Sequence, residues 1–470
     1  MRPREEPPAV IPPIPRLPGR QVTSSASDLS YHLIEAGEKP KPLILLLHGF
    51  PELAYSWRKI MPALAHAGYY VVAFDQRGYG RTTGWDTSSF EDVDLRTFSQ
   101  TNLMRDVVVL VQRLGYHTVE CVIGHDFGGA IASLCGLTRP DMFRRVILMG
   151  YPFQGLPKLP SRESPDPGEE ISSEIHRQLA NLPLPRKHYQ WYYSSAAADI
   201  EMSPSKGLDD FLRGYFHLKS ADAPNGPHPL EGSTADDLSE LPIYYMMHRA
   251  LGMRETVSSA MSPEERRNAV ESNWLTDLEL KVYVDEFGRT GFQGGLNWYR
   301  VATNPRCMRD LDIFAGKKIQ VPLLFIAGRK DWLPYLIPGS LERMHEACSM
   351  FEGEKWIEGA GHWVQQEQPE RVIHEVLDFL RKGDQESVPD QQDIRERDRL
   401  PSRAFEHDGG SDMPSQTKKV KRKLYRLLRR ASEHGDSSHI PPSEKKIKFV
   451  EEQPALKPPT SRRRGRPKKS

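Results

Sequence analysis

The run Thr118-Val119-Glu120-Cys121-Val122-Ile123-Gly124-His125-Asp126-Phe127-Gly128-Gly129-Ala130 constrains this chain more than any other stretch. An apolar segment ends at a corner bounded by glycines, and helix-compatible residues, Ile131-Ala132-Ser133-Leu134, follow at once. A strand turning that sharply into a helix needs small residues packing the corner, and it exposes whatever side chain sits at the tip. The usual pattern is G-x-S-x-G, with a serine nucleophile at the tip; here Asp126 stands in the serine's place. An aspartate at the start of a helix also suits an N-cap, so this segment alone leaves both roles open.

The rest of the chain supplies the sheet that such a corner requires. Residues 42–47 are apolar without alternation, as expected of a parallel strand covered on both faces, and they end in the tight loop His48-Gly49-Phe50-Pro51. A helical pattern with Trp57, Ile60, Leu64 and Ala67 follows. A second buried strand, 70–74, then runs into Asp75-Gln76-Arg77-Gly78-Tyr79-Gly80. Helical spacing over 101–114, strands at 146–149 and 321–328, and a closing helix at 371–380 complete an alternation that predicts a mostly parallel α/β sheet with right-handed crossovers. Between 154 and 300 the alternation stops. Tyr, Trp, Pro and helix formers there predict a mostly helical insertion lying over the carboxyl ends of the strands, where ligands bind in open sheets. The expected layout is a proline-rich arm (1–22), a core in two parts (23–153 and 301–382), a helical cap (154–300) and a disordered basic tail (383–470).

Charge follows the same division. Residues 381–470 hold 24 Lys/Arg against 14 Asp/Glu, a net of +10, which leaves 40 against 49, a net of −9, for residues 1–380. The four cysteines, Cys121, Cys135, Cys307 and Cys348, show neither C-x-x-C spacing nor a dense framework, so reduced thiols in an intracellular compartment are expected. The N-terminus lacks the apolar core of a signal peptide, and no run reaches the roughly 18 apolar residues that span a bilayer. A cytoplasmic protein without membrane attachment is therefore expected.

A carboxylate at the elbow predicts a particular electrophile. Serine there makes an acyl-enzyme, whereas a carboxylate can displace a leaving group at a saturated carbon and form an alkyl ester. That ester is hydrolysed at the aspartate's own carbonyl, while serine would leave an inert ether. The electrophile is then an sp³ carbon bearing an epoxide oxygen or a halide. Asp331 and His362 follow in the chain order nucleophile, acid, histidine, Asp331 just past the expected strand 321–328 and His362 in the loop Gly359-Ala360-Gly361-His362-Trp363. His362 would activate water and Asp331 would hold its ring. The backbone N–H groups of Phe50 and Phe127 are the candidate oxyanion hole. No metal or organic cofactor is called for.

At these residues the chain resembles the epoxide hydrolases of the α/β-hydrolase fold, particularly the soluble fungal kind, over about residues 25–380. The likeness rests on His48-Gly49-Phe50-Pro51, Asp75-Gln76-Arg77-Gly78-Tyr79-Gly80, Gly124-His125-Asp126-Phe127-Gly128-Gly129 and Gly361-His362-Trp363, together with two cap motifs. His188-Tyr189-Gln190-Trp191-Tyr192 resembles the family's first lid-tyrosine segment, and Gly291-Phe292-Gln293-Gly294-Gly295-Leu296-Asn297-Trp298-Tyr299-Arg300 resembles the second. The resemblance implies that Tyr189 and Tyr299 donate hydrogen bonds to the epoxide oxygen, with Tyr192 and Tyr193 as competing neighbours of the first. The substrate would be a small-molecule epoxide and the product a vicinal diol. A haloalkane dehalogenase-like hydrolase is the nearest rival, but Phe127 has no ring N–H for a halide; Trp191 and Trp298 remain as candidate donors near the cap motifs.

The tail carries a reading of another class. Arg464-Gly465-Arg466-Pro467 resembles an AT-hook, which lays arginines into a narrow minor groove. Lys418-Lys419-Val420-Lys421-Arg422-Lys423 looks like a nuclear-localisation cluster, and residues 418–430 have the spacing of a short basic amphipathic helix. A nuclear, DNA-associated protein with an inactive hydrolase body, or a tail for another acidic partner, is the alternative to the enzyme. The sequence assigns no oligomeric state.

Overall fold

The unbroken apolar runs of the sequence form the centre of one sheet. The computed structural model describes residues 19–386 other than 157–158, 160–167, 204–205 and 225. The arm's prolines, the basic segment 418–430 and the tail residues Arg464, Gly465, Arg466 and Pro467 lie outside the described residues. The strands are β1 (Gly19–Ser24), β2 (Leu29–Ala36), β3 (Leu43–Leu47), β4 (Tyr70–Phe74), β5 (Cys121–His125), β6 (Val146–Met149), β7 (Arg186–His188), β8 (Met246–His248), β9 (Leu323–Gly328) and β10 (Phe351–Ile357).

Eight of them make a sheet in the order β1-β2-β4-β3-β5-β6-β9-β10. All pairings from β4 to β10 are parallel, while β1–β2 and β2–β4 are antiparallel. Every residue of β3, β4, β5, β6 and β9 is buried, because helices cover both faces. Alternate residues of β3 divide between the layers: Leu43, Leu45 and Leu47 join one hydrophobic cluster, Ile44 and Leu46 the other. The second cluster is closed by the final helix, Pro369–Glu386, through Val372, Val376 and Phe379. No helix of the described residues is long and apolar enough to cross a membrane.

Three sheet strands are not readable as apolar runs. β1 and β2 precede 42–47, and β1 begins inside the stretch read as a proline-rich arm. β10, with Glu352, Gly353, Glu354 and Lys355, lies at the sheet's other edge. β1 and β10 are the edge strands, which keep one side toward solvent and carry polar residues that hide their period.

Between β6 and β9 the chain is mostly helical, as expected, with Leu208–Leu218, Asp277–Thr290 and Gln293–Ala302 among its helices. It also contains a small antiparallel pair, β7 with β8, which sequence reading missed because Arg186-Lys187-His188 is short and polar. Two ion pairs tie this segment to the sheet-bearing part: Arg58 Nε to Glu279 Oε1 at 2.9 Å, and Arg81 Nε to Glu286 Oε1 at 2.7 Å.

Candidate active site

Asp126 occupies the corner between β5 and the helix Phe127–Thr138 with φ 51° and ψ −121°. A positive φ at a non-glycine residue costs on the order of 1–3 kcal/mol and persists only where the surroundings impose it. Here Asp126 N–H donates to Met149 O at 3.1 Å, and Asp126 O accepts from Gly129 N at 2.9 Å. The side chain makes no capping hydrogen bond to its own helix. Oδ1 instead accepts from Phe50 N–H at 3.1 Å. The N-cap reading therefore does not describe this carboxylate. Phe127 begins the helix, where the first N–H groups have no intrahelical acceptor.

His362 and Asp331 lie in the loops that follow β10 and β9. His362 Nδ1 is 3.2 Å from both Asp331 oxygens, and each residue is buried. A carboxylate only accepts, so Nδ1 carries the proton and Nε2 is left as the basic nitrogen. Nε2 stands 3.7 Å from Asp126 Oδ2, too far for a direct hydrogen bond.

Residues that sequence reading did not single out hold the histidine loop. Glu367 accepts from Gly361 N at 2.9 Å, from Trp363 N at 2.9 Å and from Ala221 N at 2.7 Å, bracketing His362. His362 N–H donates to Lys219 O at 2.8 Å. His125 Nε2–H donates to His362 O at 2.8 Å, while its Nδ1 meets Glu52 Oε2 at 2.5 Å. Burial opposes a charge on His125, but the Glu52 carboxylate outweighs it and pushes the imidazole up to about 9. Burial likewise opposes ionisation of Glu52, and His125 outweighs it, holding the carboxyl at about 2. An ionised pair thus sits directly behind Asp126. The signal available in the sequence was adjacency: His125 precedes Asp126, and Glu52 follows Pro51.

Tyr189 starts the short helix Tyr189–Tyr193 after β7, and Tyr299 lies in the helix Gln293–Ala302. Their ring centroids are 5.9 Å apart, and both line one cavity with Asp126, Phe127, Tyr151, Leu333 and Leu336. Burial pushes both hydroxyls well above the usual phenol range, so both keep their protons. The competing tyrosines are engaged elsewhere: Tyr192 O–H donates to Glu201 Oε2 at 2.6 Å, and Tyr193 O–H to Tyr215 Oη at 3.3 Å. The indole N–H of Trp298 donates to Arg77 O at 3.0 Å, and Trp191 is 41% exposed with its ring against His176. Neither tryptophan is among the residues lining the cavity.

A family model described as alpha/beta hydrolase fold matches residues 42–184. Epoxide hydrolase B of Mycobacterium tuberculosis is 33% identical over 342 residues, covering 72% of this chain and 91% of its own. The crystal structure of epoxide hydrolase A from Mycobacterium thermoresistibile superposes with a TM-score of 0.57 at 30% identity, over 78% of this chain and 98% of that one. Potato epoxide hydrolase I gives 0.57 at 27% identity, over 78% and 99%. With the elbow, the histidine loop and the paired tyrosines on one α/β framework, this chain belongs to the epoxide hydrolases of the α/β-hydrolase fold.

Proposed function

We propose that the protein hydrolyses an epoxide to a vicinal diol through a hydroxyalkyl ester of Asp126. The Asp126 carboxylate attacks an epoxide carbon, and the C–O bond opens. The released oxygen takes a proton from the hydroxyl of Tyr189 or Tyr299. Water then attacks the ester carbonyl as His362 Nε2, held by Asp331, takes its proton. The N–H groups of Phe50 and Phe127 stabilise the tetrahedral oxyanion, which collapses as the ester C–O bond breaks and the leaving oxygen takes the proton held on His362. The diol leaves, and the proton left on the Asp126 carboxyl passes through solvent to the tyrosinate. The segment 154–300 serves as the cap that brings the two tyrosines over the nucleophile. The observation carrying this reading is the placement of Asp126: Oδ1 on Phe50 N–H, Oδ2 facing His362 Nε2, and both tyrosine rings lining the same cavity.

A His362→Gln variant mixed with styrene oxide tests it. Intact-mass spectrometry should show one substrate mass added, mapping to Asp126, and a variant that stays unmodified while folded would sink the mechanism. The halide reading lacks the ring N–H donors it calls for, since Phe127 has none, the Trp298 N–H is engaged by Arg77 O, and Trp191 does not line the cavity. Release of chloride from 1-chlorobutane should stay at background.

For the tail, the Arg-Gly-Arg-Pro core favours a second reading, binding to A-T-rich duplex DNA and a nuclear as well as cytoplasmic location. Full-length protein and an Arg464→Ala/Arg466→Ala variant would be titrated with A-T and G-C duplexes at rising salt. Equal affinities for both duplexes, or for both proteins, would exclude the hook.

A further inference from the structure

Among the described residues Lys219 is the only buried lysine, and no ion pair engages it. Its ammonium faces four aromatic rings instead, at 4.3 Å from the centroid of Tyr245, 4.9 Å from Tyr215, 5.4 Å from Tyr244 and 5.9 Å from Tyr189. An ammonium on a largely buried side chain is costly unless other groups replace the hydration it loses, and π faces within about 6 Å do part of that. A site that needed only volume would be filled by leucine or methionine at no such cost. The charge therefore points to a use, and the ring that connects it to the cavity is Tyr189.

Tyr189 is tied into this cluster by its main chain as well. Its N–H donates to Tyr245 O at 2.9 Å, and the two rings lie 5.1 Å apart. Burial, and then the Asp126 carboxylate, make the Tyr189 hydroxyl a poorer acid than free phenol. When a phenol gives up its proton, charge spreads from oxygen into the ring, so a cation against the ring favours the deprotonating form.

We propose that Lys219 is a positioning residue for the ester-forming step, its ammonium supporting proton donation from Tyr189 to the opening epoxide oxygen. The proposal rests on the assignment of Tyr189 above. As the Asp126 oxygen bonds to carbon and the epoxide C–O bond breaks, the electron pair stays on the leaving oxygen, which takes the Tyr189 proton. Lys219 keeps its own protons throughout. Its main chain has a separate duty, since Lys219 O accepts from His362 N–H. Side-chain substitution leaves that bond available, so the acid function can be tested apart from the histidine loop.

Styrene oxide and single-turnover kinetics decide the matter, with ester formation followed by tryptophan fluorescence quenching and ester hydrolysis by its recovery. Lys219→Met should slow ester formation by about tenfold, the scale of a desolvated cation–π contact, and leave ester hydrolysis unchanged. Lys219→Arg should stay within about threefold of wild type because guanidinium keeps the charge. In a Tyr189→Phe background Lys219→Met should cost nothing further, since the coupling partner is gone. An equal cost with Phe at 189, no rescue by arginine, or parallel slowing of both steps overturns the proposal. So does failure of both Lys219→Met and Lys219→Gln to fold, which would make the lysine structural. If the unmodified protein forms no ester at Asp126, the proposed function fails and takes this with it. If it does, and Lys219→Met forms ester at the wild-type rate, only the Lys219 proposal falls.

Discussion

Phe50 and Asp126 lie 76 residues apart and meet through one hydrogen bond, Phe50 N–H to Asp126 Oδ1 at 3.1 Å. The contact exists because β3 and β5 are neighbours in the sheet, so the loop after one lies beside the corner after the other. It also leaves no room at the preceding residue. A Cβ on Gly49 would come 2.4 Å from the Asp126 Cβ and 2.6 Å from Oδ1. Gly49→Ala should therefore displace the carboxylate and slow ester formation by about 10²-fold, the usual consequence of misplacing a reacting group by about 1 Å. Single-turnover kinetics would measure this, and wild-type ester formation in the variant would show that this loop does not set the nucleophile's position.

Tyr189→Phe and Tyr299→Phe should each slow ester formation by about 10²-fold, within the range for a positioned general acid. Hydrolysis of the ester, once formed, should be little changed. Tyr192→Phe and Tyr193→Phe are the controls, because those hydroxyls are engaged by Glu201 and Tyr215. Equal losses at all four positions would mean that the tyrosines contribute packing and not proton donation.

The Glu52–His125 pair makes a pH prediction about stability. The His125 pKa is raised from 6.5 to about 9, so its contribution is whole below pH 6.5 and is lost as pH rises through 9. The Glu52 pKa is lowered from 4.5 to about 2, so its contribution is present above pH 4.5 and is lost as pH falls toward 2. Gln365 and Gln366 both donate to Glu52 Oε1 at 3.0 Å and complete its shell. Glu52→Gln removes one partner of a buried pair and should cost about 3–5 kcal/mol in urea unfolding at pH 6. It should also abolish the alkaline loss near pH 9. Parallel stability curves for the two proteins between pH 7 and 10 would mean that the pair is not ionised.

The chemistry was more legible than its support. Asp126 and Asp331 could be proposed because each stands just past an apolar strand, whereas His362, after the polar β10, stood out only by its glycine-flanked loop and its place in the chain order. Tyr189 could be picked out among Tyr192 and Tyr193 only by resemblance, since what separates them is the engagement of the latter two by Glu201 and Tyr215 across the cap. Glu367 was not legible, and Glu52 left only its adjacency to Pro51. A carboxylate that accepts from Gly361, Trp363 and Ala221 main chains leaves no trace in residue type or period. β2 was missed for a related reason: Ser30 and His32 interrupt its apolar residues and are answered by partners far along the chain, His32 by Asp75 at 2.8 Å.

The glycines of Gly291-Phe292-Gln293-Gly294-Gly295 acquire a physical meaning in the fold. The helix Gln293–Ala302, which carries Tyr299, rests backbone to backbone on the loop after β4: a Cβ on Gly294 would lie 2.0 Å from Gly78 O. Trp298 Nε1–H to Arg77 O fixes the same helix one turn further along. Gly294→Ala must lift the helix from this seat, because main chain on both sides cannot yield as a flexible side chain would. The expected loss is about 1–3 kcal/mol of stability, the range for overpacking a tight contact. Ester formation should slow by about tenfold or more as Tyr299 shifts, with ester hydrolysis retained. Gly288→Ala, in the helix Asp277–Thr290, is the matched control: its Cβ would meet only Leu208 Cδ2 at 3.7 Å. That substitution should be neutral, or stabilising by about 0.5–1 kcal/mol through helix propensity. Urea unfolding and single-turnover kinetics on the two variants separate a specific seat for the tyrosine helix from a general intolerance of the cap to alanine, and equal behaviour of the two would discard the seat.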